Sequence, residues 1–304
     1  MLQFKYPEME DRAWLQPVLS QSGNLGSESA FGTLFLWKNT YHSKICRYED
    51  HVLLCSGEHF HTYNLPVGGE KPFEAVEILI ADASERGIPF KMWGVSPQGA
   101  EKLESMYPGR FTFELDRNGA DYIYRSADLI GLSGRKYHGK RNHLAQFNRD
   151  YSWSYEEIGA ENLEDCRKVA LEWCRSNGGC EEEAAGGGNE RCALRRAFEN
   201  FEALHLAGGL IRIDGKPAAF TIGEEINPTT YLLHFEKALD GYNGLYAAIN
   251  HEFAARHLEK YEYINREEDL GLEGLRRAKL SYHPAFLLEK YLIKLKEESK
   301  VVSE

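Results

Sequence analysis

The chain has 304 residues, with 36 Lys and Arg against 47 Asp and Glu for a formal net charge of −11, and 42% hydrophobic and 12% aromatic side chains. A chain of this size buries ample core and allows two domains, which excludes a disordered chain and a disulfide scaffold. So acidic a protein is a poor non-specific binder of nucleic acid, because affinity for a phosphate backbone grows with the number of cations it meets.

Residues 7 to 20 predict a short helix and ESAFGTLFLWKNTY (28 to 41) a second one rich in aromatics. YHSKICRYEDHVLLCSG alternates like a pair of strands. In PFEAVEILIADASERG, Phe73, Val76, Ile80 and Ala83 recur at steps of three and four, so residues 72 to 87 read as an amphipathic helix stopped by Gly87. PFKMWGV reads as a strand; Ser96 then caps a helix opened by Pro97, and RFTFELD and DYIYR read as two more strands. Residues 129 to 150 hold five basic side chains and one acidic, a cationic stretch between acidic halves, and residues 134 to 151 form its helix.

Beyond it, helices are predicted at 161 to 176 and 191 to 206, separated by a loop with five glycines between 178 and 188 that is expected to be mobile. Asp214-Gly215 between alternating apolar runs is a hairpin signal. TTYLLHFEKAL (229 to 239) reads as a strand, residues 245 to 260 as a helix and YEYINREEDL as a last strand. Strands alternating with helices define an α/β (α+β) chain with mixed sheets flanked by helices. The six cysteines, Cys46, Cys55, Cys166, Cys174, Cys180 and Cys192, form no CxxC pair, so buried thiols and no metal site are expected. No window approaches the roughly 18 uninterrupted apolar residues of a membrane span, and acids interrupt MLQFKYPEMEDR where an export signal needs an apolar run. A cytoplasmic location is the expectation.

Four segments could carry chemistry. On the basic helix, Lys140 lies beside the apolar stripe of Tyr137, Leu144 and Phe147, while Arg141 lies off it; the patch suits phosphate, and a solvated connector is the alternative. The loop Gly241, Asn243, Gly244 before a helix offers free backbone N–H groups and the positive dipole end to an anion, or is simply a tight turn. On the strand before it, His234 and Glu236 share a face by the two-residue period and Lys237 lies on the other. A carboxylate buried there would have a raised pKa suited to a base, or would form an ion pair with the basic helix. Glu267, Glu268 and Asp269 form an acid cluster followed by Arg276, Arg277 and Lys279. That order fits a zwitterion such as an amino acid, and also simple dipole compensation along a helix.

The hairpin GLIRIDGKPAAFTIG, the strand TTYLLHFEKA, the loop-helix GYNGLYAAINHEF and the closing EDLGLEGLRRAKLSYHP together resemble the GCN5-related N-acetyltransferase (GNAT) fold. With KYHGKRNHLAQFNRDY and FLWKNTYHSKI, they resemble most closely the uncharacterised bacterial relatives of the phosphatidylglycerol lysyltransferase catalytic domain. The resemblance covers about residues 28 to 290. It implies two tandem GNAT-like domains, as in the Fem peptidyltransferases, placed here at residues 1–130 and 131–304, the second opened by the basic helix. It also implies transfer of an acyl or aminoacyl group from an activated donor, aminoacyl-tRNA-like, to an amine or hydroxyl acceptor by direct attack.

On that resemblance Gly241 to Gly244 face the donor's phosphates, Lys140 and Arg141 hold its polyanion, and Lys279 stabilises charge near the transferred ester. Glu236 or His234 as base is a reading of the strand itself. Glu267, Glu268, Asp269 and Arg276 are the candidates for holding the acceptor or amino acid. DGYNGLY lacks the Arg or Gln and the second Gly of an acetyl-CoA loop, which weighs against CoA. An acetyl-CoA-dependent N-acetyltransferase and a non-catalytic small-molecule- or peptide-binding protein are the alternatives. The expected partners are a small-molecule or peptide acceptor and charged tRNA, with no DNA, no membrane span and no tightly bound cofactor.

Overall fold

The computed structural model describes residues 1–58, 62–177 and 189–296. The glycine loop 178–188 therefore lies outside the described residues. The strands are β1 (Lys44–Tyr48), β2 (His51–Ser56), β3 (Thr62–Tyr63), β4 (Val67–Gly68), β5 (Lys91–Val95), β6 (Phe111–Arg125), β7 (Trp153–Glu157), β8 (Ala207–Ile213), β9 (Lys216–Asn227), β10 (Thr230–Ala238), β11 (Tyr263–Asn265) and β12 (Phe286–Leu295). They form one mixed sheet in the order β1-β2-β3-β5-β12-β6-β11-β10-β9-β8-β7, with β4 on β2. The pairs β10–β11 and β3–β5 are parallel and the others antiparallel. This is the expected α/β architecture of mixed sheet and flanking helices. The expected boundary at residue 130 falls at the end of the sixth helix. The last strand, β12, crosses back and pairs between β5 and β6, so the sheet runs unbroken through both halves.

The helices are α1 (Arg12–Gln21), α2 (Phe31–Leu36), α3 (Lys38–Tyr41), α4 (Val76–Arg86), α5 (Pro97–Met106), α6 (Ser126–Gly131), α7 (His138–Asp150), α8 (Leu163–Ser176), α9 (Glu190–Glu199), α10 (Leu245–His257) and α11 (Glu273–Leu280). Local chemistry sets several of their ends. Gly87 closes α4 at φ 67°, where a side chain would be strained, and the Ser96 hydroxyl accepts the Gly99 amide at 3.1 Å to cap α5. Asp214 (φ 49°) and Gly215 (φ 78°) make the β8–β9 turn with both central residues left-handed, as the hairpin signal requires.

Four element assignments need correction. Residues 111–125 form one strand, not two. The 28–41 helix breaks at Trp37 into α2 and α3. The helix from 190 stops at Glu199, and β11 pairs over only three residues. Cys46, Cys55, Cys166 and Cys192 are buried free thiols as expected, whereas Cys174 is disulfide-bonded.

Two large apolar clusters cover one region each. In the first, α1, α2 and the β9–β10 strands meet α8 and α9 around Phe31, Phe198, Phe220 and Phe235. In the second, α4 and α5 pack on β2, β5 and β6 around Tyr63, Phe90 and Phe111. A third cluster, with Tyr122, Tyr124, Tyr231, Phe253 and Tyr282, lies under α10 and frames the site. Among the described residues no helix is long and apolar enough to cross a membrane.

Candidate functional site

The sheet opens between β10 and β11. They pair at Thr230, Tyr231 and Leu232 and then separate, while the chain after β11 stays on β6, Arg266 N–H donating to the Tyr122 carbonyl and Tyr122 N–H to that of Glu267, before the left-handed Leu270 (φ 51°). On the other side β10 shifts register against β9 between Leu233 and Phe235, so His234 is an inserted residue, a β-bulge. The bulge breaks the alternation that would have put His234 and Glu236 together. His234 lies with Phe235, which packs against Trp37 behind α3, while Glu236 faces α10 and accepts a hydrogen bond from Asn250 Nδ2 at 2.9 Å. The shared face expected from a two-residue period is therefore wrong.

On the α10 side, Glu236 bonds Arg266 at 2.8 Å across the opening, their side chains only 11% and 12% exposed. The Arg266 guanidinium lies over the Tyr282 ring at 4.7 Å, and its Nη1 is buried with no hydrogen-bond partner among the described residues. Lys140, from α7, lies over the same ring at 3.6 Å and donates to Ser281 Oγ at 2.8 Å. Burial, then the Arg266 charge, pulls the Lys140 ammonium down to about 8, against the pull of Glu236. Arg266 was not singled out from the sequence; the available signal was a cation directly before an acid cluster at a strand end. Arg141, the neighbour of Lys140, points elsewhere and donates to the carbonyls of Leu132 and Gly134.

The opposite face holds His234 in a sealed position. Its side chain is 0% exposed, with Nε2 2.9 Å from Glu224 and Nδ1 3.1 Å from Glu267. Burial alone would lower its pKa, but hydrogen bonds to both carboxylates outweigh that and raise it to about 9. His234 is thus an imidazolium at neutral pH with no free nitrogen, which removes it as a base.

Glu268, next along the turn, is different. Burial, followed by Glu267 and Asp121, raises its carboxyl to about 7 against the pull of Lys290, and among the described residues no cation pairs with it. Tyr41, on α3 of the N-terminal half, is pushed up to about 12 by burial and then by the charges of Glu268, Glu267 and Glu190.

The turn itself is clamped. Lys279 donates to the carbonyls of Arg266 at 2.7 Å, Glu267 at 3.1 Å and Glu268. Burial lowers its pKa, yet all three donors are spent on backbone, so Lys279 holds the turn rather than facing an ester. Asp269 is fully buried, taking hydrogen bonds from Tyr122 at 2.6 Å and from both Nε and Nη2 of Arg276 at 2.8 and 2.9 Å. The Arg276 guanidinium is the main cause that holds its carboxyl well below the usual range. Asp269 and Arg276, expected to hold a ligand, satisfy one another instead.

Beside the opening, Gly244 caps α10 at φ 86°. A Cβ there would come within 2.5 Å of the His143 carbonyl oxygen, so glycine lets α7 pack against the helix start. Gly241 (φ 89°) shapes the loop, and the Asn243 amide donates to the Tyr151 hydroxyl at 3.1 Å. Glu236 and Lys140 thus lie beside the parted strands near the Gly241–Gly244 loop and Glu268 follows β11, whereas His234, Lys279, Asp269 and Arg276 brace the turn and Arg141 lies away from it.

A sheet parted between two strands, a polar seam in the gap and a helix start beside it are the features of a GNAT-like fold. Residues 20–294 match the family described as phosphatidylglycerol lysyltransferase, C-terminal, and the chain belongs to that family. Among solved structures, a conserved protein of unknown function from Bacteroides thetaiotaomicron is 40% identical, with a TM-score of 0.91 over 97% of this chain and 100% of that one. L-PGS from Bacillus licheniformis is 16% identical, with a TM-score of 0.68 over 97% and 95%. FemX is 9% identical, with a TM-score of 0.60 over 96% and 97%. A curated relative, an uncharacterised protein of Mycoplasmoides gallisepticum, is 25% identical over 64% of this chain, which spans 61% of that protein's length.

Proposed function

We propose that the chain transfers an aminoacyl group from an aminoacyl-tRNA to an amine or hydroxyl acceptor, with Glu268 as the general base. What supports this is the Glu268 carboxyl, which follows directly on the strand end where β10 and β11 part, pairs with no cation among the described residues and is raised to about 7 by burial. A base works best when its pKa lies near the working pH. The acceptor nitrogen or oxygen attacks the ester carbonyl and the new bond to carbon forms. Its proton passes to Glu268; the carbon–oxygen bond to the tRNA ribose then breaks, and the leaving hydroxyl takes that proton back. The cationic Arg266, with its unpartnered Nη1, supplies a donor to the developing oxyanion, and one such donor is typically worth about 3 kcal/mol. Glu236 and Asn250 orient the guanidinium. Lys140 and the start of α10 meet the donor's phosphates.

The test uses total tRNA charged with labelled amino acids. Glu268→Gln should slow single-turnover transfer by about 100-fold or more while leaving charged-tRNA affinity unchanged. Lys140→Ala should weaken that affinity and flatten its salt dependence. A wild-type transfer rate in Glu268→Gln would remove the base. Calorimetry that found acetyl-CoA bound and charged tRNA not bound would replace the donor with CoA.

A further inference from the structure

A cavity of about 650 Å³ lies in the N-terminal half between α1, β2 and β5, with Leu288 of β12 in its lining. Its walls combine apolar side chains, Leu19, Leu54, Leu65 and Phe73, with uncharged polar ones such as Asn64 and Gln98, and among the described residues Glu28 is the one ionisable lining group. Behind Glu28 lies a buried charge group. Lys290 of β12, 1% exposed, pairs with Glu28 Oε2 at 2.9 Å and Asp121 Oδ1 at 2.8 Å. Asp121 is fully engaged, since its other oxygen accepts the Ser27 amide and Asn265 Nδ2, each at 2.8 Å. Two carboxylates therefore share one ammonium. Glu28 is the member that lines the cavity, and its Oε1 accepts no hydrogen bond among the described residues.

The backbone keeps this carboxylate approachable. Gly94, also in the lining, holds φ 80° inside β5, and a Cβ placed there would sit 3.2 Å from Asn64 Nδ2 and 3.7 Å from Glu28 Oε1. A glycine inside a strand commonly marks close approach by another group. Cavities of this size that combine apolar surface with placed polar groups are characteristic of small-molecule sites. A carboxylate with spare acceptor capacity selects for a cation and against an anion.

We propose that this cavity is a second ligand site, one that takes an organic ammonium: a protonated amine on an apolar body, its nitrogen on Glu28 Oε1 and its body along Leu54, Leu65 and Phe73. Lys290 and Asp121 behind Glu28 also act on Glu268, so the test reads binding alone and does not depend on transfer. On the full chain, calorimetry should detect saturable binding of n-hexylammonium and no binding of hexanoate. The uncharged isostere n-hexanol should bind at least about tenfold more weakly, as should n-hexylammonium to Glu28→Gln, because a hydrogen bond to a charged group is lost. Leu65→Trp fills the cavity without touching the buried charges and should abolish binding. The proposal is overturned if n-hexylammonium shows no saturable binding, if n-hexanol binds as well, or if either variant binds like the wild type.

Discussion

Replacing His234 with Gln separates a structural imidazolium from a catalytic one. In the folded chain the ring sits sealed between Glu224 and Glu267, and its pKa rises from 6.5 to about 9. At about 1.4 kcal/mol for each tenfold change in proton affinity, that rise amounts to about 3 kcal/mol of stability. Because the folded value lies above the unfolded one, this contribution is complete below about pH 6.5 and disappears as pH rises through about 9. His234→Gln should therefore cost about 3 kcal/mol in urea denaturation at about pH 6, and the gap to the wild type should narrow toward about pH 10. NMR of the ring protons should show His234 titrating near 9 in the folded protein. A ring that titrates near 6.5, or a stability gap independent of pH, would refute the buried triad and return His234 as a candidate base.

If Glu268 is the base, transfer should rise as pH climbs through about 7 and level off above it, since the carboxyl must lose its proton to accept another; a rate profile measured on Glu268→Gln should lack that limb. Gly244→Ala forces a Cβ to within 2.5 Å of the His143 carbonyl at a left-handed φ, so it should lower stability by about 1–3 kcal/mol in chemical denaturation and weaken donor binding. Lys279→Met strips three carbonyls of their donor and should cost about 2–4 kcal/mol, with faster hydrogen exchange across residues 266–269. Asp269→Asn removes a carboxylate whose pKa the fold depresses. Wild-type stability should fall as pH drops below the usual carboxylate range, and in the variant that acid limb should be shallower.

Much of the neighbourhood of the site was legible because it is locally encoded. The Asp214-Gly215 hairpin, the Ser96 cap and the Gly241–Gly244 loop before α10 each depend on residues a few positions apart. The acid cluster after β11 was visible in the same way. Its members' separate fates were not, for Glu267, Glu268 and Asp269 are consecutive residues with three different partners. One bonds a histidine of β10, one pairs with no cation among the described residues, and one is bound by Arg276 and Tyr122. β12 escaped notice because Glu289, Lys290 and Lys294 interrupt its apolar pattern. Lys290 is buried all the same, because Asp121 and Glu28 wait for it in the sheet's centre.

The order of letters alone settled the class of architecture, the family pattern and the position of the helix start, since periodicity, turn chemistry and capping act between near neighbours. Only the folded chain decided which charged side chain does chemistry and which is structural. A single inserted residue at His234 turned it away from Glu236, and the return of β12 created a buried charge group from residues 28, 121 and 290. The physical reason is that protonation and reactivity follow burial and the nearest opposite charge, and both are set by contacts between residues far apart in the chain.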